Sequence, residues 1–175
     1  MHWAGFWLIY IFPCLTISGF LVGGLAAWTS PVIAFLLIPV LDLLMGTEKK
    51  NLPTNKEQSY LQKKRYDYAL YGFVPVQFGM VLWSAYWITH HHLNLSETFA
   101  MCLSMGIIHG GLSINVAHEL CHRNSQPAQT LSKMLWLSVC YLHFHIEHRL
   151  GHHLKVGTPE AVSYTHLTLP TTPYV

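Results

Sequence analysis

The chain has 175 residues, of which 51% are hydrophobic and only 10% charged, whereas soluble domains carry about 25% charged residues. The formal net charge is +2, which gives no reason to expect a nucleic-acid partner. The few charges are clustered and leave long uncharged runs. This excludes a soluble domain with a large core and predicts an all-α, polytopic membrane helical bundle. Cys14, Cys102, Cys121 and Cys140 lie far apart in sequence. They form neither a disulfide framework nor a C-x-x-C pair.

In chain order, residues 3–28 carry no charge and exceed the ~20 residues needed to cross a bilayer. The run is too long for a signal peptide and lacks a basic leader. Thr29-Ser30-Pro31 reads as a tight turn, and a second apolar run continues to Met45, so the two form a helical hairpin. Asp42 lies one turn from the end of that run, as an interfacial carboxylate or a support for the site described below. Residues 47–67 hold Lys49, Lys50, Lys56, Lys63, Lys64 and Arg65, which places this loop in the cytoplasm by the positive-inside rule. Tyr68 to Thr89 reads as a third span with a kink at Pro75 and an aromatic belt of Trp83, Tyr86 and Trp87 at its outer end. His90, His91 and His92 follow as an exposed polar turn. Thr98 to Ala117 returns as a fourth span, in which His109 reads as a helix–helix hydrogen-bonding residue.

The fourth span ends in N-V-A-H-E-L-C-H-R, and a second histidine-rich stretch follows, H-F-H-I-E-H-R-L-G-H-H. His118 and His122 are four apart and so share one face of a helix. His148 and His152 repeat that spacing, and His153 adjoins them. Five imidazoles beside Glu119 and Glu147 indicate a metal centre. A zinc site needs only three or four protein ligands, so the surplus suggests more than one ion. Asn115, at i−3 from His118, lies on the same face and could orient a ligand ring.

This reading constrains residues 128–147. Were they to cross the bilayer, the two histidine sets would lie ~30 Å apart and share no metal. The apolar core of that segment, Met134 to Ile146, is also short for a span. A helix packed beneath the bundle on the cytoplasmic side satisfies both points. The expectation is therefore four spans plus a cytoplasmic-side, histidine-bearing helix, with a multi-pass protein in the cell (inner) membrane. After Glu160 the text becomes S-Y-T-H-L-T-L-P-T-T-P-Y-V, without helical period or charge. It divides the chain into a truncated membrane domain, 1–161, and a non-native tail, 162–175.

The motifs N-V-A-H-E-L-C-H-R, E-H-R-L-G-H-H and V-G-T-P-E, with I-P-V-L-D-L-L-M-G at 38–46, together resemble the membrane alkane 1-monooxygenase family. The histidine spacings alone would mark only the wider group of membrane hydroxylases and fatty-acyl desaturases. The flanking Asn115, Arg123, Gly151 and Thr158-Pro159-Glu160 narrow the likeness. The resemblance implies two non-haem iron ions and O2-dependent hydroxylation of the terminal methyl of an alkane in the lipid bilayer, with rubredoxin as electron donor. It implies His118, His122, His148, His152 and His153 as iron ligands, completed by further histidine motifs beyond this chain. His143 matches a family position outside the ligand set, as a supporting residue; Glu119 and Glu147 are expected to orient imidazoles.

Three other readings stand beside this one. A related di-iron desaturase or xylene-type methyl hydroxylase would carry the same spacings. H-E-L-C-H also fits the H-E-x-x-H pattern of intramembrane zinc proteases, with Glu119 as general base. A non-catalytic metal-binding membrane protein is the plainest alternative.

Overall fold

The computed structural model describes residues 3–46 and 65–155, all in helices and short connections with no strand among them. The helices are α1 (Gly5–Val22), α2 (Gly24–Met45), α3 (Arg65–His90), α4 (Leu95–Cys121) and α5 (Gln126–Ser138). A sixth, α6, runs over residues 144–155. The lysine-rich segment 47–64, the Thr158-Pro159-Glu160 motif and the tail 162–175 lie outside the described residues. Helices α1, α2 and α4 are long and apolar enough to cross a membrane. At 26 residues α3 is also long enough, but it carries Asp67 and a buried Gln77 and is not among those three.

The hairpin forms as expected, but its turn falls at Gly23–Gly24 rather than at Thr29-Ser30-Pro31. Gly23 and Gly24 have φ of 79° and 59°, a left-handed backbone that side chains other than glycine resist. Thr29–Val32 is helical instead. Its hydroxyls find partners inside the hairpin: Thr29 Oγ1 donates to the Ala26 carbonyl at 2.7 Å, and Ser30 Oγ bonds Thr16 Oγ1 at 2.8 Å. Pro31 lies just after the 3-10 segment Gly24–Trp28 passes into this helical turn. The two strokes of the hairpin approach closely at Gly19, where an added Cβ would meet the Ala26 carbonyl oxygen.

The turn is tied to the start of α4. Glu97 accepts hydrogen bonds from the Gly24 amide at 2.9 Å and the Asn94 amide at 3.1 Å, while Asn94 Oδ1 accepts from the Glu97 amide at 3.0 Å. This is a capping box that also satisfies a donor in the neighbouring turn. Trp28 Nε1 adds a bond to Ser96 Oγ at 3.0 Å. At the same end, His90 and His91 stack on Tyr86 and Trp87 and bond their own helix carbonyls. These histidines are exposed, as expected of a polar turn.

Helix α4, at 27 residues, is about 40 Å long, some 10 Å more than a hydrocarbon core. Its middle, Gly106–Ser113, is π-helical, a widening that recurs at functional sites. His109 lies in it, and its buried Nδ1 meets no partner; the expected helix–helix bond at this atom is not made.

Helix α5 does not lie beneath the bundle but runs back alongside α4 and α3. Ser132 Oγ donates to the Ala117 carbonyl at 2.7 Å and Gln129 Nε2 to that of Cys121 at 2.8 Å, so α5 and α4 are antiparallel. One end of this layer is fixed to α3 by Arg123 and Asp67 (3.4 Å) and the other by Gln77 and Ser138 (3.1 Å). These contacts are ten residues, or about 15 Å, apart along α3. Trp136 and Leu135 of α5 are fully buried with Phe73, Ile108 and Leu120. That apolar face explains the difference: lying across the end of the bundle would have left it exposed.

Helix α5 ends in a Schellman motif. The Tyr141 amide donates to the Trp136 carbonyl at 2.8 Å and the Cys140 amide to that of Leu137 at 3.0 Å. The motif puts its penultimate residue in the left-handed region, and Cys140 has φ of 56°. Three outcomes follow for thermal unfolding in detergent. Cys140→Gly should raise stability by about 0.5–1 kcal/mol and Cys140→Val should lower it. Gly19→Ala should lower it by about 1–3 kcal/mol through overpacking of the hairpin.

Candidate metal centre

The last turn of α4 carries His118 and places His122 at its C-terminal cap. Their rings lie one above the other, centroids 4.8 Å apart. The return of α5 and the turn after it bring α6 against this pair. His148 enters with its centroid 4.2 Å from His118 and 5.2 Å from His122. One ligand atom of each of the three lies within 4.8 Å of the others.

The cluster is graded in exposure, with His122 open, His118 half-buried and His148 buried. Stacking fixes His148: the Phe144 ring lies parallel to it at 5.0 Å and His152 at 5.6 Å. The π-helical turn Glu147–His152 keeps these residues in one column. Gly151 matters here, because the Glu147 carboxylate lies 2.8 Å from where a Cβ would project.

The donor set fits a transition-metal cation. His148 Nε2 and His122 Nε2 approach to 3.2 Å. Two ligands on one ion at ~2.0–2.1 Å in tetrahedral geometry stand about 3.3–3.4 Å apart. Neutral imidazoles suit iron, copper and zinc alike, so the geometry selects a class of ion and not one element.

The remaining expected residues surround this trio in different ways. His152 lies behind His148, exposed, and the side chain of His153 lies outside the described residues. The Asn115 amide donates to the Gly111 carbonyl at 2.9 Å in its own helix. Glu119 accepts from Arg123 Nη2 at 3.0 Å. His143 packs edge-on against Tyr141 at 4.5 Å. Asp42 is exposed on α2.

Four further residues hold the site, and three of them, Ser132, His145 and Gln129, escape notice in the sequence. Arg123 reaches Asp67 as well as Glu119 and so joins the end of α4 to the start of α3. Arg123 and Asp67 are half-buried, and their effect is on placement. Ser132 Oγ, already donating to Ala117, accepts from His145 Nδ1 at 3.4 Å. Burial first, and then the cations of Lys133 and Arg149, push the His145 pKa down. Gln129 bonds backbone carbonyls beside His122 and the guanidinium beside His148. A serine and a glutamine three apart in one helix are the visible signal, but nothing in the sequence names their partners.

The fatty acid desaturase family profile matches residues 94–174, a stretch that begins at the α4 cap and contains both histidine segments. The chain is 34% identical over 139 residues to alkane 1-monooxygenase 2 of Pseudomonas aeruginosa, covering 78% of this chain and 37% of that protein. It is 36% identical over 123 residues to the alkane 1-monooxygenase of Ectopseudomonas oleovorans and 33% identical over 123 residues to alkane 1-monooxygenase 1 of Alcanivorax borkumensis. Each of these two matches covers 70% of this chain and 30% of the relative. The chain thus spans about a third of the length of the curated relatives it matches. Its histidine segments, its membrane helices and these likenesses agree: the chain belongs to the alkane 1-monooxygenase family.

Proposed function

We propose that the full-length protein is a di-iron, O2-dependent oxidoreductase that hydroxylates the terminal methyl of alkanes to primary alcohols. In this reading the site lies on the cytoplasmic side of the inner membrane and receives its electrons from rubredoxin. The observation that carries it is the meeting of His118, His122 and His148 from two segments of the chain at metal-ligand distances. In the same reading His152 and His153 complete this chain's share of ligands, and histidines beyond it complete the two-iron set. Asn115, Glu119, His143 and Glu147 support the imidazoles.

The overall balance is RCH3 + O2 + 2 e⁻ + 2 H⁺ → RCH2OH + H2O. The chemistry that bound iron supplies is reductive activation of O2 for insertion into a C–H bond. The chain's own residues provide the surroundings. Val116, Ala117 and Leu120, within a turn of His118, are buried in the apolar core that backs the site. The Phe144 and His152 rings hold His148 in a single orientation, so a ligand nitrogen is in place before the metal arrives.

The zinc protease reading finds less support. Its general base would be Glu119, whose carboxylate is engaged by Arg123 at 3.0 Å. The desaturase reading differs in product and not in ligands.

Metal analysis and product analysis of the full-length protein test the proposal together. The expected result is about two irons per chain and, from octane under ¹⁸O2 with a reduced rubredoxin, labelled 1-octanol. One zinc and no iron would overturn it in favour of the protease, and an alkene product in favour of a desaturase. His118→Ala and His148→Ala should each lower iron content severalfold while far-UV helicity is retained.

A further inference from the structure

His122 and His148 are 26 residues apart in sequence, yet their ring nitrogens approach to 3.2 Å. One side chain outside the histidine set touches the backbone on either side of the first and the residue following the second. Gln129, in the first turn of α5, is 7% exposed. Its Nε2 donates to the carbonyl of Cys121 at 2.8 Å and to that of Arg123, the two neighbours of His122. Its Oε1 accepts from Arg149 Nη1 at 2.7 Å, and Arg149 follows His148.

The chemistry of this contact is specific to an amide. The carbonyls of Cys121 and Arg123 lie where α4 stops, so they lack the helical partners of earlier turns. They need donors, while the exposed Arg149 guanidinium takes the amide oxygen as an acceptor. Glutamine offers both from one planar group. A glutamate would meet Arg149 but face two carbonyl oxygens with no proton to give. A lysine would serve the carbonyls and repel Arg149.

We propose that Gln129 is a positioning residue that sets the separation of His122 and His148 across the metal centre. The inference rests on the metal-centre reading above, and acts through backbone and guanidinium rather than on the ion. It implies coupling: removing either end of the clamp frees the same degree of motion, so Gln129 and Arg149 substitutions should not add.

The test uses full-length protein loaded separately with iron, zinc and cobalt(II), with release to excess chelator followed over time and cobalt visible absorption recorded. Gln129→Leu and Arg149→Met should each speed release of each metal about tenfold and shift the cobalt bands. The double variant should be no faster than the quicker single, with helicity and detergent elution unchanged throughout. Gln129→Glu, which keeps the Arg149 partner, should fall between wild type and Gln129→Leu. Release within twofold of wild type in the single variants, or effects that multiply in the double, would overturn the proposal. Should Gln129→Leu fail to fold, Gln129→Glu and Arg149→Met carry the same comparison. A wild type that takes zinc and no iron sinks the di-iron reading alone, because Gln129 is then judged on zinc release. A wild type that takes none of the three metals sinks both.

Discussion

The histidine cluster depends on α5 turning back along α4. Imidazoles that share an ion must bring their nitrogens within a few ångströms, and here the segments that carry them are separated by a complete helix. The buried hydrogen bonds from Ser132 to Ala117 and from Gln129 to Cys121 fix α5 antiparallel to the end of α4. The Schellman motif at Cys140 then reverses the chain once more. Buried polar bonds of this kind contribute about 1 kcal/mol each but cost more to leave half-made. Their main effect is to exclude other registers, since sliding α5 by one residue would leave carbonyls and hydroxyls unmatched in an apolar layer.

The membrane hairpin and its latch act at the far end of the same helix. Glu97 ties the Gly23–Gly24 turn to the start of α4, and the aromatic rings of Trp28, Trp83 and Trp87 pack around it. At the site end, Asp67, Arg123 and Glu119 hold α3 against α4. Helix α4 is therefore held at both ends, with His118 in its last turn and His122 at its cap. Between the two ends the π-helical segment Gly106–Ser113 changes the rotational register, so it bears on the direction in which the terminal histidines point.

Much of this was legible in the sequence because it rests on period and composition. Uncharged runs gave the spans of α1, α2 and α4, and the i,i+4 spacings gave His118 with His122 and His148 with His152. The expectation that the two histidine sets meet holds for His118, His122 and His148, whereas the expected place of α5 beneath the bundle does not. What escaped depended on partners rather than on pattern. Thr29-Ser30-Pro31 has the composition of a turn, but its hydroxyls are satisfied within the hairpin, and the glycine pair six residues earlier makes the bend. The placement of α5 against α3 follows from Trp136 and Leu135 finding Phe73, a contact no local signal announces. Gln129 and Ser132 read as ordinary polar residues until the carbonyls they serve are in view.

Side-specific thiol labelling tests the shared-side arrangement most directly. In full-length protein with Cys14, Cys102, Cys121 and Cys140 changed to serine, single cysteines would be introduced by Asn124→Cys and Leu150→Cys. Both positions are exposed, one after each histidine set begins. In sealed vesicles of known orientation, an impermeant reagent should label both from the same side and neither from the other. Labelling of the two from opposite sides would mean that the segment between them crosses the bilayer, and the single metal centre could not exist.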